Sequence, residues 1–89
     1  MLKPSFTTRF RRDLKRMLKR GKDEEKFKEV AQLLIQEVDL PPRYRDHMLH
    51  GGFGGRRECH IEPDWLLIYL IREGGIIFER TGSHSDLFV

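Results

Sequence analysis

Hydrophobic and polar positions change period part-way along the 89 residues. From Phe6 the apolar residues fall at Phe6, Phe10, Leu14, Met17 and Leu18, a spacing that predicts a helix with one buried stripe, and Gly21 is placed to end it. Ahead of it, Leu2 to Ser5 predicts a short first strand, at an edge or a strand end because Pro4 has no N–H to donate. A second stripe, Phe27, Val30, Ala31, Leu34 and Val38, predicts a second helix. Asp23 can cap it, Glu24 and Glu25 sit where the helix dipole favours negative charge, and Pro41-Pro42 stops it. The link at Gly21-Lys22 is so short that the two helices should form an antiparallel hairpin laying both apolar faces on another layer.

That layer is a sheet. After a stretch made irregular by Gly51, Gly52, Gly54 and Gly55, Arg56 to Ile61 reads as a strand and Pro63-Asp64 as a turn. Trp65 to Arg72 is a nearly continuous apolar run, as a central strand requires, and Glu73-Gly74-Gly75 is a hairpin signal leading into Ile76 to Thr81. Asp86 to Val89 is expected as a last short strand or tail. The fold class is α+β in two layers: an N-terminal strand, then an antiparallel helix hairpin packed on a three- to five-stranded, mostly antiparallel sheet. Residues 1–89 are expected to form one domain, without repeat, linker or low-complexity segment.

Size narrows the chemistry. A domain this short buries only somewhat over roughly 60% of its extended surface, so it has no second lobe to enclose a substrate, and an active site must be an open surface or shallow groove, which suits a polymer better than a small metabolite. Formal net charge is only +3, but residues 1–22 carry Lys3, Arg9, Arg11, Arg12, Lys15, Arg16, Lys19, Arg20 and Lys22 against the single acid Asp13. Such polarity suits a phosphate backbone on the basic side, or else simply a solvated helix face. Cys59 is the only cysteine, which excludes an internal disulfide. The absence of a long apolar run or signal-like N-terminus predicts a cytoplasmic protein without membrane contact.

All four histidines lie between Tyr44 and Phe88. Strand alternation puts Arg56, Glu58 and His60 on one face and Arg57, Cys59 and Ile61 on the other; if the helices cover the second set, Glu58 and His60 stand on the open side. Arg80 belongs by parity with Ile76 and Phe78, so either the open face also carries apolar residues or the strand contains a bulge. Cleaving RNA without a metal needs a base for the 2′-hydroxyl, an acid for the leaving 5′-oxygen and a cation for the phosphate, and imidazoles, carboxylates and arginine supply these types. The plainer expectations are that Trp65 and Cys59 are core residues and that Glu58 and Asp64 are surface carboxylates. No CxxC or HExxH spacing occurs and Cys59 and His60 face opposite ways, so no metal site or cofactor is expected.

With the segments Tyr-Arg-Asp-His-Met-Leu from Tyr44, Arg-Glu-Cys-His-Ile-Glu-Pro-Asp-Trp-Leu-Leu-Ile-Tyr from Arg57 and Phe-Glu-Arg-Thr-Gly-Ser-His from Phe78, the chain resembles the YafQ-type toxins of the RelE superfamily. The resemblance implies a microbial RNase fold and a toxin that enters the ribosomal A site and cuts mRNA without a metal. It places family catalytic positions on His47, His60, Asp64, His84 and Phe88, an arginine on Arg80, and Glu58 where the family pattern has an aspartate. By similarity His84 would be the acid to the 5′-oxygen, His60 with Asp64 the base and its orienting partner, His47 and Arg80 the phosphate ligands, and Phe88 the residue that positions the nucleotide. The basic residues of the first helix, with Lys3, Lys22 and Arg56, would grip 16S ribosomal RNA, a cognate antitoxin would neutralise the toxin, and operator DNA would be reached only through that antitoxin. Two other readings of the same features are a ribosome- or RNA-binding module of weak catalysis, and a structural member of an antitoxin–DNA repressor complex.

Overall fold

The computed structural model describes residues 1–50 and 54–88, so the expectations for Gly51, Gly52 and Val89 lie outside the described residues. Five strands, β1 (Lys3–Phe6), β2 (His47–Met48), β3 (Arg57–Glu62), β4 (Trp65–Arg72) and β5 (Gly75–Gly82), form one sheet in the order β1-β5-β4-β3-β2. All neighbours are antiparallel except β1, which runs parallel to β5. Helices α1 (Thr8–Lys19) and α2 (Glu24–Ile35) pack on one face. The two-layer arrangement agrees with the fold class expected from the residue pattern.

The core lies between helices and sheet: Phe10 and Met17 of α1, with Phe27, Val30 and Leu34 of α2, meet Cys59, Trp65, Leu67, Tyr69 and Phe78. Phe10, Phe27 and Phe78 stand within 5.3 to 5.9 Å of one another, ring centre to ring centre, and each such ring contributes roughly 2 kcal/mol or more by leaving water. The expected central strand is β4, whose first six residues are all buried. Trp65 is in the core, its indole N–H donating to the Thr81 hydroxyl at 2.8 Å, and Cys59 is buried with its thiol pushed upward in pKa by desolvation.

Element ends show where tertiary contacts overrode the pattern. Phe6 belongs to β1, not to the helix, because its ring stacks on Phe78 at 5.3 Å, and Thr7 caps α1 by accepting from Phe10 N–H at 2.9 Å. Gly21 ends α1 as expected, with φ +91° and Lys22 N–H reaching back to Met17 carbonyl at 3.1 Å. Val38 is exposed beyond α2: Glu37 takes the left-handed conformation at φ 60°, Val38 N–H closes on Leu33 carbonyl at 3.0 Å, and the helix stops at Ile35, well before the prolines.

Asp86 is not in a last strand or tail; it belongs to a short helix, α3 (His84–Leu87). The reason is a reciprocal cap that the sequence Ser83-His84-Ser85-Asp86 encodes. Asp86 N–H donates to Ser83 Oγ at 3.2 Å, and Ser83 N–H donates to Asp86 Oδ2 at 2.8 Å. A 3-10 turn (Pro42–Tyr44) and the two-residue β2 complete the described elements, and sequence reasoning anticipated neither.

Both alternatives for Arg80 hold. Leu66, Ile68 and Leu70 are buried on the face away from the helices, and β5 bulges at Glu79, since Tyr69 faces Phe78 while Ile68 faces Arg80. One extra residue turns Phe78 into the core and Arg80 onto the other side. Thr7 satisfies the carbonyls this frees, donating N–H to Phe78 at 3.1 Å and Oγ1–H to Glu79 at 2.9 Å.

Candidate active site

Register sets the site. His47 on β2 lies opposite Glu58 on β3, so an imidazole from the sheet's edge and a carboxylate from its interior share one face with His60, two residues on. The Glu58 side chain is buried, and its Oε1 stands 3.4 Å from both His47 Nε2 and His60 Nε2. These contacts are looser than ordinary hydrogen bonds, so the carboxylate acts mainly as a shared charge under two rings. His47 Nδ1 is turned by the Arg45 carbonyl, which accepts from it at 2.6 Å and thereby points Nε2 at Glu58. Arg45 itself is left-handed, at φ 49°. Behind this loop, Asp46 accepts from the buried Tyr69 hydroxyl and, at 3.2 Å, from Arg57 Nη2, so the strand carrying His47 is anchored into the sheet.

His84, the first residue of α3, completes the group. Its ring centre is 5.7 Å from that of His60, nearly edge to face at 70°, and His60 is 6.4 Å from His47. Three imidazoles therefore form one row with His60 in the middle. Asp64, at the β3–β4 turn, accepts from both the backbone N–H and Nδ1 of His84, at 2.8 and 2.5 Å. The two bonds fix the ring through Nδ1 and leave Nε2 free of Asp64, and they hold the Asp64 carboxyl below its ordinary pKa, backbone bond first. Asp64 therefore orients His84, not His60 as the resemblance suggested; the carboxylate beside His60 is Glu58. The turn that carries Asp64 reaches α3 because β3 and β5 flank β4 and their ends meet there.

A clamp that the sequence did not reveal holds α3. Asp86 accepts from Arg20 Nη1 and Nη2 at 2.7 and 3.1 Å, which with the Ser83 bonds depresses its pKa strongly. Gly82 lets this carboxylate close in, since a Cβ there would stand 2.9 Å from Asp86 Cβ.

Arg80 shares the row His47–Glu58–Ile68–Arg80 but lies two strands beyond Glu58, about 10 Å at ordinary strand spacing. Its guanidinium grips Asp13 through Nε at 2.6 Å and Nη2 at 3.3 Å. Asp13, buried in α1, also accepts from Arg16 Nη2 at 2.9 Å and Thr81 N–H at 3.2 Å. Arg80 is thus set apart from the imidazole row, lining hollows with Arg9, Arg12 and Arg16 on one side and with Arg56 on the other. Phe88, half-exposed, follows α3 directly with its N–H on the His84 carbonyl at 2.9 Å.

The basic set divides. Arg16, Arg20, Lys22 and Arg56 are engaged with Asp13, Asp86, Glu62 and Glu79 respectively, so these four act first as internal ties. Lys3, Arg9, Arg11, Arg12, Lys15 and Lys19 are exposed and, among the described residues, bridge to no carboxylate; Arg11 lies 5.4 Å over the Phe6 ring. No group of three His, Cys, Asp or Glu side chains among the described residues has the arrangement of a metal site. No helix among them is long and apolar enough to cross a membrane.

Helices lie on one face of a small sheet, and three imidazoles gather with two carboxylates beside an open cleft, an arrangement chemically capable of proton transfer. Comparison with known proteins gives the family. Residues 2–89 match the family model described as "Bacterial toxin of type II toxin-antitoxin system, YafQ", and the chain belongs to this family. It is 43% identical to the mRNA interferase toxin YafQ of Escherichia coli K12 over 84 residues, 93% of this chain and 91% of that one. Among solved structures it resembles the E. coli DinJ–YafQ complex (40% identity, TM-score 0.93, all of both chains). It also resembles a metal-bound toxin from Helicobacter pylori (42% identity, TM-score 0.94, 99% of this chain and all of that one).

Proposed function

We propose that this chain is the toxin of a toxin–antitoxin pair and acts as an mRNA interferase, a single-domain endoribonuclease that works in the cytoplasm and cuts mRNA in the ribosomal A site. The observation that carries the reading is the 5.7 Å spacing of the His60 and His84 rings beside an open cleft, with a different carboxylate at each. His60, next to Glu58, takes the 2′-hydroxyl proton; the alkoxide attacks the adjacent phosphorus; the P–O5′ bond breaks and His84 gives a proton to the departing 5′-oxygen. The products are a 2′,3′-cyclic phosphate and a 5′-hydroxyl. Both proton transfers fall to side chains, each contributing typically 10²- to 10⁴-fold, so no step requires a metal.

His47 turns Nε2 from its loose 3.4 Å contact with Glu58 to donate to a phosphate oxygen when substrate binds, and Phe88 stacks on a base. Arg80, drawn to Asp13, meets a phosphate farther along the strand. The cations of α1 that bridge to no carboxylate among the described residues supply attachment to 16S ribosomal RNA. A cognate antitoxin, as DinJ is named with YafQ in E. coli, covers the cleft and the basic surface, and operator DNA is reached through it. Mapping transcript 5′ ends after induction tests the proposal: cuts at fixed codon positions with this chain and none with His84→Ala are expected. Equal growth arrest by both proteins without new 5′ ends would favour a binding module.

A further inference from the structure

We propose that the cleft between α2 and the Pro42–Tyr44 turn is the subsite for the nucleotide on the leaving side of the cut, and that Arg43 and Arg45 hold its 3′ phosphate. The inference rests on the nuclease reading above and names residues it did not include. The cleft has a volume of about 670 Å³, and its walls include His60 and His84 together with the charged residues Lys26, Glu29, Arg43, Arg45 and Glu62. That volume lies within the roughly 300 to 1,000 Å³ of sites for small ligands, enough for a nucleotide.

The charges in the walls are not equivalent. Glu62 is held by Lys22 and Lys26, at 2.7 and 2.8 Å, so its negative charge is already answered. Arg43 and Arg45 have no carboxylate partner among the described residues, in contrast to Arg16, Arg20, Arg56, Arg57 and Arg80. The Arg43 guanidinium lies 4.7 Å over the Tyr44 ring with Nη2 donating to the Tyr44 hydroxyl at 3.0 Å, which fixes the cation in place and leaves donors for an anion. Arg45 is exposed, and its own carbonyl orients His47, so the residue that offers the cation also ties the turn to the imidazole row.

The direction of the strand follows. His60, which takes the 2′-hydroxyl proton, and His84, which protonates the 5′-oxygen, both line this cleft, and His47 does not. Of the two the His84 side chain is the more open to it, 55% exposed against 13% for His60. The nucleotide that leaves with the 5′-oxygen therefore enters the cleft, and the next phosphate along reaches Arg43 and Arg45.

Ribosome-bound mRNA carrying one uncharged methylphosphonate, at the linkage 3′ of the leaving nucleotide, tests the subsite. The natural chain is expected to lose about tenfold in kcat/KM on this substrate, the size of one charged hydrogen bond. The double variant Arg43→Gln, Arg45→Asn is expected to cut ordinary mRNA about tenfold more slowly and to lose nothing further on the methylphosphonate. Asn tolerates the left-handed backbone at position 45, and only a small fall in melting temperature is expected, because both residues are exposed and Arg43→Gln loses no more than its contact with Tyr44. A natural chain indifferent to the methylphosphonate, or a double variant that loses another tenfold on it, overturns the subsite alone. Failure of the natural chain to cut ordinary mRNA overturns the nuclease reading and the subsite together.

Discussion

Glu58 and Asp64 both stand against imidazoles, yet their surroundings differ. The Glu58 side chain is 7% exposed and shared between His47 and His60, whereas the Asp64 side chain is 67% exposed and serves His84 alone. Water can stand in for part of what Asp64 does and for little of what Glu58 does, because a charge in a low-dielectric setting acts with less screening. The arginine ties differ less: the Asp13 side chain is 6% exposed under Arg16 and Arg80 and that of Asp86 11%, while Arg20 on Asp86 is itself nearly half in water. Glu58 and Asp13, both buried, each organise two side chains at once, whereas the exposed Asp64 steers His84 alone through two directed bonds.

That distinction can be broken most severely at Asp13. Replacing it by Ala leaves Arg80 and Arg16 without their shared anion; roughly 2 to 4 kcal/mol of stability should be lost, on the low side for a broken buried pair because both arginines stay partly in water. Chemical denaturation measures this, and a loss under about 1 kcal/mol, the range of an exposed pair, would show the tie to be dispensable. Next, Glu58→Gln should lower kcat about a hundredfold and Asp64→Asn about tenfold, since only the first removes charge from two rings. Equal losses in single-turnover assays would erase the comparison.

Acid should act on the ties that hold α3. Asp86 and Asp64 have folded-state pKa values below their ordinary 3.8, so their contribution is fully present above that value and is lost as pH falls through the folded values. Docking of α3, followed through the His84 ring resonances, should therefore survive to lower pH in the natural chain than in Arg20→Ala. The smallest effect per residue is expected on α1: replacing Lys15 and Lys19 by Gln should weaken ribosome binding modestly and flatten its salt dependence by roughly one unit of slope for each phosphate no longer neutralised. An unchanged slope would remove α1 from the RNA-binding surface.

Much of this was legible in the residues. The helix stripes, the apolar central run and the Gly-Gly hairpin stated the layers, because period and turn chemistry are local. Helix ends were less so: Phe6 fits the helical stripe but is captured by Phe78, and Glu37 ends α2 in a conformation usually left to glycine. Around the site, strand parity put Glu58 with His60 and left Arg80 open between two choices that both proved real. What could not be read was pairing between loops. Nothing in the spacing of Asp64 and His84 announces their bonds, since the β3–β4 turn and α3 meet only when the sheet is assembled. Two signals do stand in the sequence for the ties around them: Asp13 falls on the apolar stripe of a basic helix, at the spacing of Phe10 and Met17, and Ser83-x-x-Asp86 is a capping box.

The central claim is that the imidazoles of His60 and His84 divide one reaction, the first removing a proton and the second delivering one. The pH dependence of single-turnover mRNA cleavage tests it directly. His60→Ala should abolish the fall in rate at acid pH, where a base would be protonated, and His84→Ala the fall at alkaline pH, where an acid would be spent. Loss of the same limb in both variants would contradict the account.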